Sequence, residues 1–92
     1  MSFWVYILTN KTHSTLYVGV TNNIQRRLFE HRSNRISSFT SKYRTYKLVF
    51  AEETTDASSA ISREKQIKRW RREKKIALIE RLNPGWEDLG GL

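Results

Sequence analysis

The chain has 92 residues, no cysteine, and seventeen Lys and Arg against nine Asp and Glu, for a net charge of +8. That length points to one domain over residues 1–92; the lack of cysteine excludes a disulfide scaffold or a cysteine-ligated zinc and fits an intracellular, cytoplasmic protein. The basic excess, with a pI of about 10.2, favours a polyanionic partner, nucleic acid being the usual one, over a membrane surface.

No apolar run approaches the roughly 20 residues of a membrane span. The N-terminus enters a hydrophobic stretch without the basic leader of a secretory signal. Phe3 to Leu8 is rich in aromatic and branched residues and reads as a strand. Asn10 to Ser14 is polar and turn-like, and Leu16 to Val20 reads as a second strand, so the pair is expected to form an antiparallel hairpin. Thr21-Asn22-Asn23 offers a helix N-cap, and Ile24 to Arg32 suits the helix that follows. Asn34 to Tyr43 reads as a loop or a short irregular helix. Tyr46 to Glu52 reads as a third strand. Asp56 caps a helix beginning at Ala57; the polar run Lys68 to Lys75 predicts a kink or break; and Ile76 to Leu82 continues until Asn83-Pro84-Gly85 stops it. The order β-β-α-(α)-β-α-α predicts an α+β fold, a small three-stranded antiparallel sheet flanked by helices.

Within the hairpin, alternation places Phe3, Val5 and Ile7 on one face and Trp4, Tyr6 and Leu8 on the other, while Leu16, Val18 and Val20 oppose Tyr17 and Gly19. Each strand therefore presents a tyrosine. Gly19 is expected to leave open space beside Tyr17, although paired tyrosines are also ordinary strand packing. Arg27 and His31 are four apart and share a helix face beside the Ile24–Leu28 stripe. Arginine suits phosphate through its planar fork, and histidine moves protons near neutrality; a solvated helix edge is the plainer reading. On a helical wheel turned about 100° per residue, Glu64 falls inside the apolar arc of Ala57, Ala60, Ile61 and Ile67. A carboxylate there must be paired or bind a cation. Lys68 could pair with it at i, i+4, or Glu64 could ligate a metal with Lys68 or Arg71 near phosphate. The aromatic residues Trp4, Tyr43, Tyr46, Trp70 and Trp86 are scattered and do not form a stacking platform. Lys65 to Lys75 carries the densest positive charge and suits phosphate-backbone contact.

Taken together, these residues resemble the GIY-YIG nuclease family. Trp4-Val5-Tyr6 stands where the GIY triplet would be, and Tyr17-Val18-Gly19 stands as YIG. Arg27 falls ten residues after Tyr17, at the place of the family's catalytic arginine. His31 matches a histidine seen in many members, Glu64 the metal-binding glutamate, and Asn83 the asparagine near the end of the family's core. The chain is most similar to the small stand-alone members and to the N-terminal nuclease domain of the bacterial excision-repair endonuclease. Two positions depart: Trp4 replaces the first glycine, and Val20 stands where the excision-repair enzymes carry a lysine, whose role would pass to His31 or Lys68 or be absent.

The resemblance implies a divalent-metal-dependent endonuclease hydrolysing phosphodiester bonds in DNA, with low sequence specificity and a setting in DNA repair. Tyr6, Tyr17, Arg27, His31 and Glu64 would be catalytic, with Glu64 holding Mg²⁺ or Mn²⁺. Gly19 and Asn83 would be structural. Lys65, Lys68, Arg71 and Arg72 would contact nucleic acid. The alternative is a non-catalytic nucleic-acid-binding module on the same fold.

Overall fold

A computed structural model describes residues 1–33 and 44–90. The expected loop or irregular helix at Asn34 to Tyr43 lies outside the described residues. The elements are β1 (Phe3–Thr9), β2 (Leu16–Thr21), α1 (Ile24–Arg32), β3 (Lys47–Thr54), α2 (Ala57–Arg69) and α3 (Arg72–Leu82). They form one antiparallel sheet in the order β2-β1-β3. The expected α+β architecture and the break in the second helical region are therefore present.

Local chemistry accounts for the boundaries. Asn10 Oδ1 accepts from the backbone N–H groups of Ser14 and Thr15, closing the hairpin loop with side-chain help. Asn23 caps α1 by accepting from Arg26 N, and Asp56 caps α2 by accepting from Ser59 N. Trp70 and Arg71 adopt extended backbone angles between α2 and α3. The break thus falls at the one aromatic residue of the polar run, where the ring packs against the core.

Alternation along β1 divides the interior in two. Val5 and Ile7 join Val18, Phe50, Ala60, Ile67 and Ile79 in a core beneath α2 and α3. Tyr6 and Leu8 point the other way, against Ile24, Leu28 and Leu48, into a core covered by α1. A register shift between Ile7 and Leu8 inserts Val49 as an extra residue in β3. The Val49 carbonyl accepts from Asn83 Nδ2 at 3.1 Å, and the same Asn83 amide bonds Glu87 O and Glu87 N. Asn83 is thus a buried latch joining the end of α3 to the bulge. Further on, Leu89 N donates to Leu48 O and Asp88 Oδ1 accepts from Leu48 N. The C-terminal segment therefore covers the outer edge of β3.

Replacing Asn83 with Ala would strip partners from Val49 O and from the Glu87 backbone. Asn83→Ala is expected to lower unfolding free energy by roughly 2–3 kcal/mol, read as a lower urea midpoint with unchanged slope.

Candidate active site

The site grows from one cross-strand pair. Tyr6, at the centre of β1, stands opposite Gly19 of β2. A Cβ built on Gly19 would lie 2.5 Å from both Cζ and the hydroxyl oxygen of Tyr6. The space expected beside Tyr17 is thus filled by the Tyr6 ring. Glycine is required here so that a buried phenol can lie flat against the neighbouring strand.

From α1, Arg27 Nε donates to the Tyr6 hydroxyl at 3.4 Å, and His31 Nε2 lies 3.2 Å from the same oxygen. Arg27 already supplies a donor to that oxygen, so the phenolic proton is assigned to His31 Nε2, giving a chain from Arg27 through Tyr6 to His31. On that assignment Nδ1 carries the imidazole proton, and this buried atom has no hydrogen-bond partner among the described residues. Tyr17 completes the group: its ring centroid is 5.3 Å from that of His31 and 6.4 Å from that of Tyr6. One helical turn in α1 and one pair of strands therefore bring Tyr6, Tyr17, Arg27 and His31 together.

Electrostatics assign these groups different states. Burial pushes the Tyr6 phenol up to about 12, against the hydrogen bond from Arg27, so it stays neutral at physiological pH. Arg27 is held still more firmly as a cation, first by that hydrogen bond. Burial, and then the charge of Arg27, push His31 down to about 4. His31 was expected at a helix border, titrating near neutrality. It is instead fully buried and neutral, because the α1 core closes over it.

Glu64 stands on α2, the helix whose Ala60 and Ile67 pack into the core with Val5 and Ile7. Its side chain is only 12% exposed, and it pairs with Lys68 at 2.8 Å. The wheel is corrected in one respect: Ile61 is 45% exposed, and the buried stripe runs through Ala60 and Ile67. Glu64 lies between those two and remains on the covered side. Its charge reaches Tyr6 as a small upward push on the phenol. Among the described residues no three His, Cys, Asp or Glu side chains cluster as a metal cage. A lone carboxylate does not suit zinc, but it suits Mg²⁺ or Mn²⁺, which keep water and take substrate oxygens.

The other expected residues separate. Arg72 donates to the carbonyls of Ser14 and His13, and so fastens α3 to the hairpin loop. Lys65 and Arg71 are exposed. Asn83 bonds Val49 and Glu87 and acts as a structural latch. An ion pair that sequence reasoning missed is Arg32 with Asp88, where Nη2 donates to both carboxylate oxygens at 3.1 and 3.2 Å. It ties α1, next to His31, to the C-terminal segment. Its partners are 56 residues apart, and no local pattern marks them.

The chain matches the profile of the GIY-YIG catalytic domain over residues 2–77. A UPF0213 protein of Syntrophus aciditrophicus is 42% identical over 82 residues, covering 88% of this chain and 92% of that protein. A UPF0213 protein of Staphylococcus haemolyticus is 35% identical over 77 residues, covering 84% and 93%. The solution NMR structure of the UPF0213 protein BH0048 from Bacillus halodurans superposes with a TM-score of 0.62 at 27% identity, covering 96% of this chain and 93% of that one.

Two outcomes follow from the geometry. Gly19→Ala is expected to cost about 1–3 kcal/mol by forcing the Tyr6 ring away, measured by chemical denaturation. For His31 the folded value lies below the unfolded one, so below about pH 6.5 only the unfolded chain takes up the proton. Stability should be full above pH 6.5 and fall as pH drops toward 4, and the melting temperature of His31→Gln should lose that slope.

Proposed function

The chain belongs to the GIY-YIG family, and we propose that it is a divalent-metal-dependent endonuclease hydrolysing phosphodiester bonds in DNA with low sequence specificity. The match to the GIY-YIG catalytic domain over residues 2–77 supports a nuclease reading. The observation that supports this reading best is the hydrogen-bonded chain Arg27–Tyr6–His31 with Tyr17 packed against it. A purely structural tyrosine pair has no need of a partly exposed guanidinium aimed at its phenol.

Each side chain has a distinct task. Arg27 keeps its charge at every working pH and is 36% exposed at the side chain, where it pairs with the part-exposed Glu30 at 3.6 Å; so loose a pair would yield to a phosphate oxygen. Arg27 would stabilise the charge that builds on the phosphoryl group in the transition state. Tyr6 is neutral and tied to Arg27 and His31, which suits it to position water or phosphate indirectly, through the Arg27 guanidinium it holds. That leaves Tyr17 to align the attacking water or take its proton. Neutral His31 would hold the Tyr6 proton in place, with relay as its secondary task. Glu64 would hold Mg²⁺ or Mn²⁺ in place of Lys68, which is 56% exposed at the side chain and free to swing out. The bound cation would neutralise phosphate charge. Lys65, Lys68 and Arg71 would then meet the nucleic-acid backbone, while Arg72 would steady the hairpin that carries Tyr17.

The Glu64–Lys68 ion pair supports a second reading, because it satisfies the covered carboxylate without any metal. On that reading the chain binds nucleic acid and does not cut it. A cleavage assay on plasmid and branched DNA with Mg²⁺ or Mn²⁺ separates the two. Arg27→Ala and Glu64→Ala are each expected to lower cutting by about 10²-fold or more, with circular dichroism unchanged. Salt-sensitive binding without metal-dependent cutting would select the second reading, and cutting by both variants at the parent rate would end the proposed mechanism.

A further inference from the structure

Five cations gather around Trp70 on α2 and α3, and four of them, Arg63, Arg69, Lys74 and Arg81, have no part in the proposed reactive site. Two open hollows meet at the elbow between these helices and share Trp70 as the ridge between them. One, of about 400 Å³, is lined by Ser62, Lys65, Gln66, Arg69 and Trp70. The other, of about 360 Å³, is lined by Arg63, Trp70, Lys74, Leu78 and Arg81, with Ala77. Among the described residues no carboxylate lines either hollow. Of the five cations, Arg63 is neutralised from outside by Glu52.

Trp70 is part-exposed, and the cations are delivered to its ring. Lys74 Nζ lies 4.4 Å from the ring centroid, and the Arg63 guanidinium carbon lies 5.3 Å away. On α2, Ser62, Gln66 and Arg69 lie roughly opposite Glu64 at about 100° per residue. A duplex seated over Glu64 would therefore not also lie along this groove, because the helix between them is about 10 Å thick.

We propose that this elbow is a second nucleic-acid site, which takes an unpaired strand by stacking a base on Trp70 while Arg69, Lys74 and Arg81 hold the flanking phosphates. A recess on each side of one indole, edged by cations, is the pairing of π-face and backbone charge that single strands require. A closed duplex offers the phosphates but keeps its bases stacked away from the ring. Lys74 gives up its place over the ring to the base and meets the adjacent phosphate. The inference rests on the nuclease reading for its setting: the site would engage a single-stranded arm or flap of the DNA being cut. The binding itself does not depend on cleavage.

The test is a titration of the full chain, in EDTA, with a fluorescein-labelled oligothymidylate of about 15 nucleotides, reading both anisotropy and tryptophan fluorescence. Three probes are compared: the oligothymidylate, an abasic strand of the same length and a closed duplex. The parent is expected to bind the oligothymidylate with quenching, and the abasic strand and the duplex without it. Trp70→Phe should remove most of the quenching and weaken binding about tenfold. The double variant Arg69→Glu, Arg81→Glu should weaken binding at least as much and flatten the dependence on salt between about 50 and 200 mM. Full quenching in Trp70→Phe, equal behaviour of the abasic strand, or parental binding by the double variant would each overturn the assignment. Because EDTA removes the metal, a negative result here is distinct from a chain that fails to cut DNA.

Discussion

The close approach of Tyr6 to Gly19 sets the position of everything else in the cluster of Tyr6, Tyr17, Arg27 and His31. A phenol at the centre of a three-stranded sheet has no room unless the neighbouring strand gives up its side chain, and a Cβ at that point would meet the phenol carbon and oxygen at 2.5 Å. Once the ring is seated, its hydroxyl is fixed beneath α1, within reach of Arg27 Nε and His31 Nε2. Helical spacing then matters: residues four apart present themselves to one point, so a single phenolic oxygen collects both. The same packing removes water, which raises Tyr6 and lowers His31 together. The geometry and the protonation states thus have a common physical origin in burial of the central strand.

Much of this was legible in the sequence because it depends on local rules. Alternation separated Tyr6 from Val5 and Ile7 along β1 and Tyr17 from Val18 along β2, and the two cores follow that division. Asn23 and Asp56 mark the helix starts they were expected to mark, since an N-cap depends on a donor only three residues away. What failed to show depends on long-range packing. His31 could be placed on a face but not at a depth, because its burial is set by how α1 lies across the sheet. Gly19 could be read as space but not as space already taken. Ile61 looks apolar on a wheel, but the wheel has no sheet beneath it, and the sheet touches Ala60 and Ile67. Arg32–Asp88 and Asn83–Val49 join elements far apart in sequence, which local patterns do not encode.

The positive charge is not one undifferentiated face. Arg72 is spent on the carbonyls of the hairpin loop, Lys68 on Glu64, Arg63 on Glu52 and Arg32 on Asp88. Exposed ion pairs of this kind contribute little stability individually. Their effect is positional, because each joins a helix to a strand, to a loop or to the C-terminal segment, or fixes a side chain along one helix. Cations such as Lys65, Arg69 and Lys74 stand where a ligand can reach them. Net charge alone could establish a preference for polyanions, whereas the distinction between cations that hold the fold and cations that can hold a ligand required knowing their partners.

Glu64 shows how one residue can satisfy two demands. Its covered position makes an unpaired charge costly, so the carboxylate needs a cation of some kind in every state. Lys68 supplies one from the next turn, with its own side chain more than half exposed. An exposed lysine loses little by leaving, because water solvates its ammonium on the way out. A divalent ion that brings its own waters and a substrate phosphate can then take the same place. On the proposed reading, the ion pair that weakens the case for a permanently bound metal would also keep the site stable between turnovers: the helix would supply an internal cation that gives way when a divalent one arrives with its substrate.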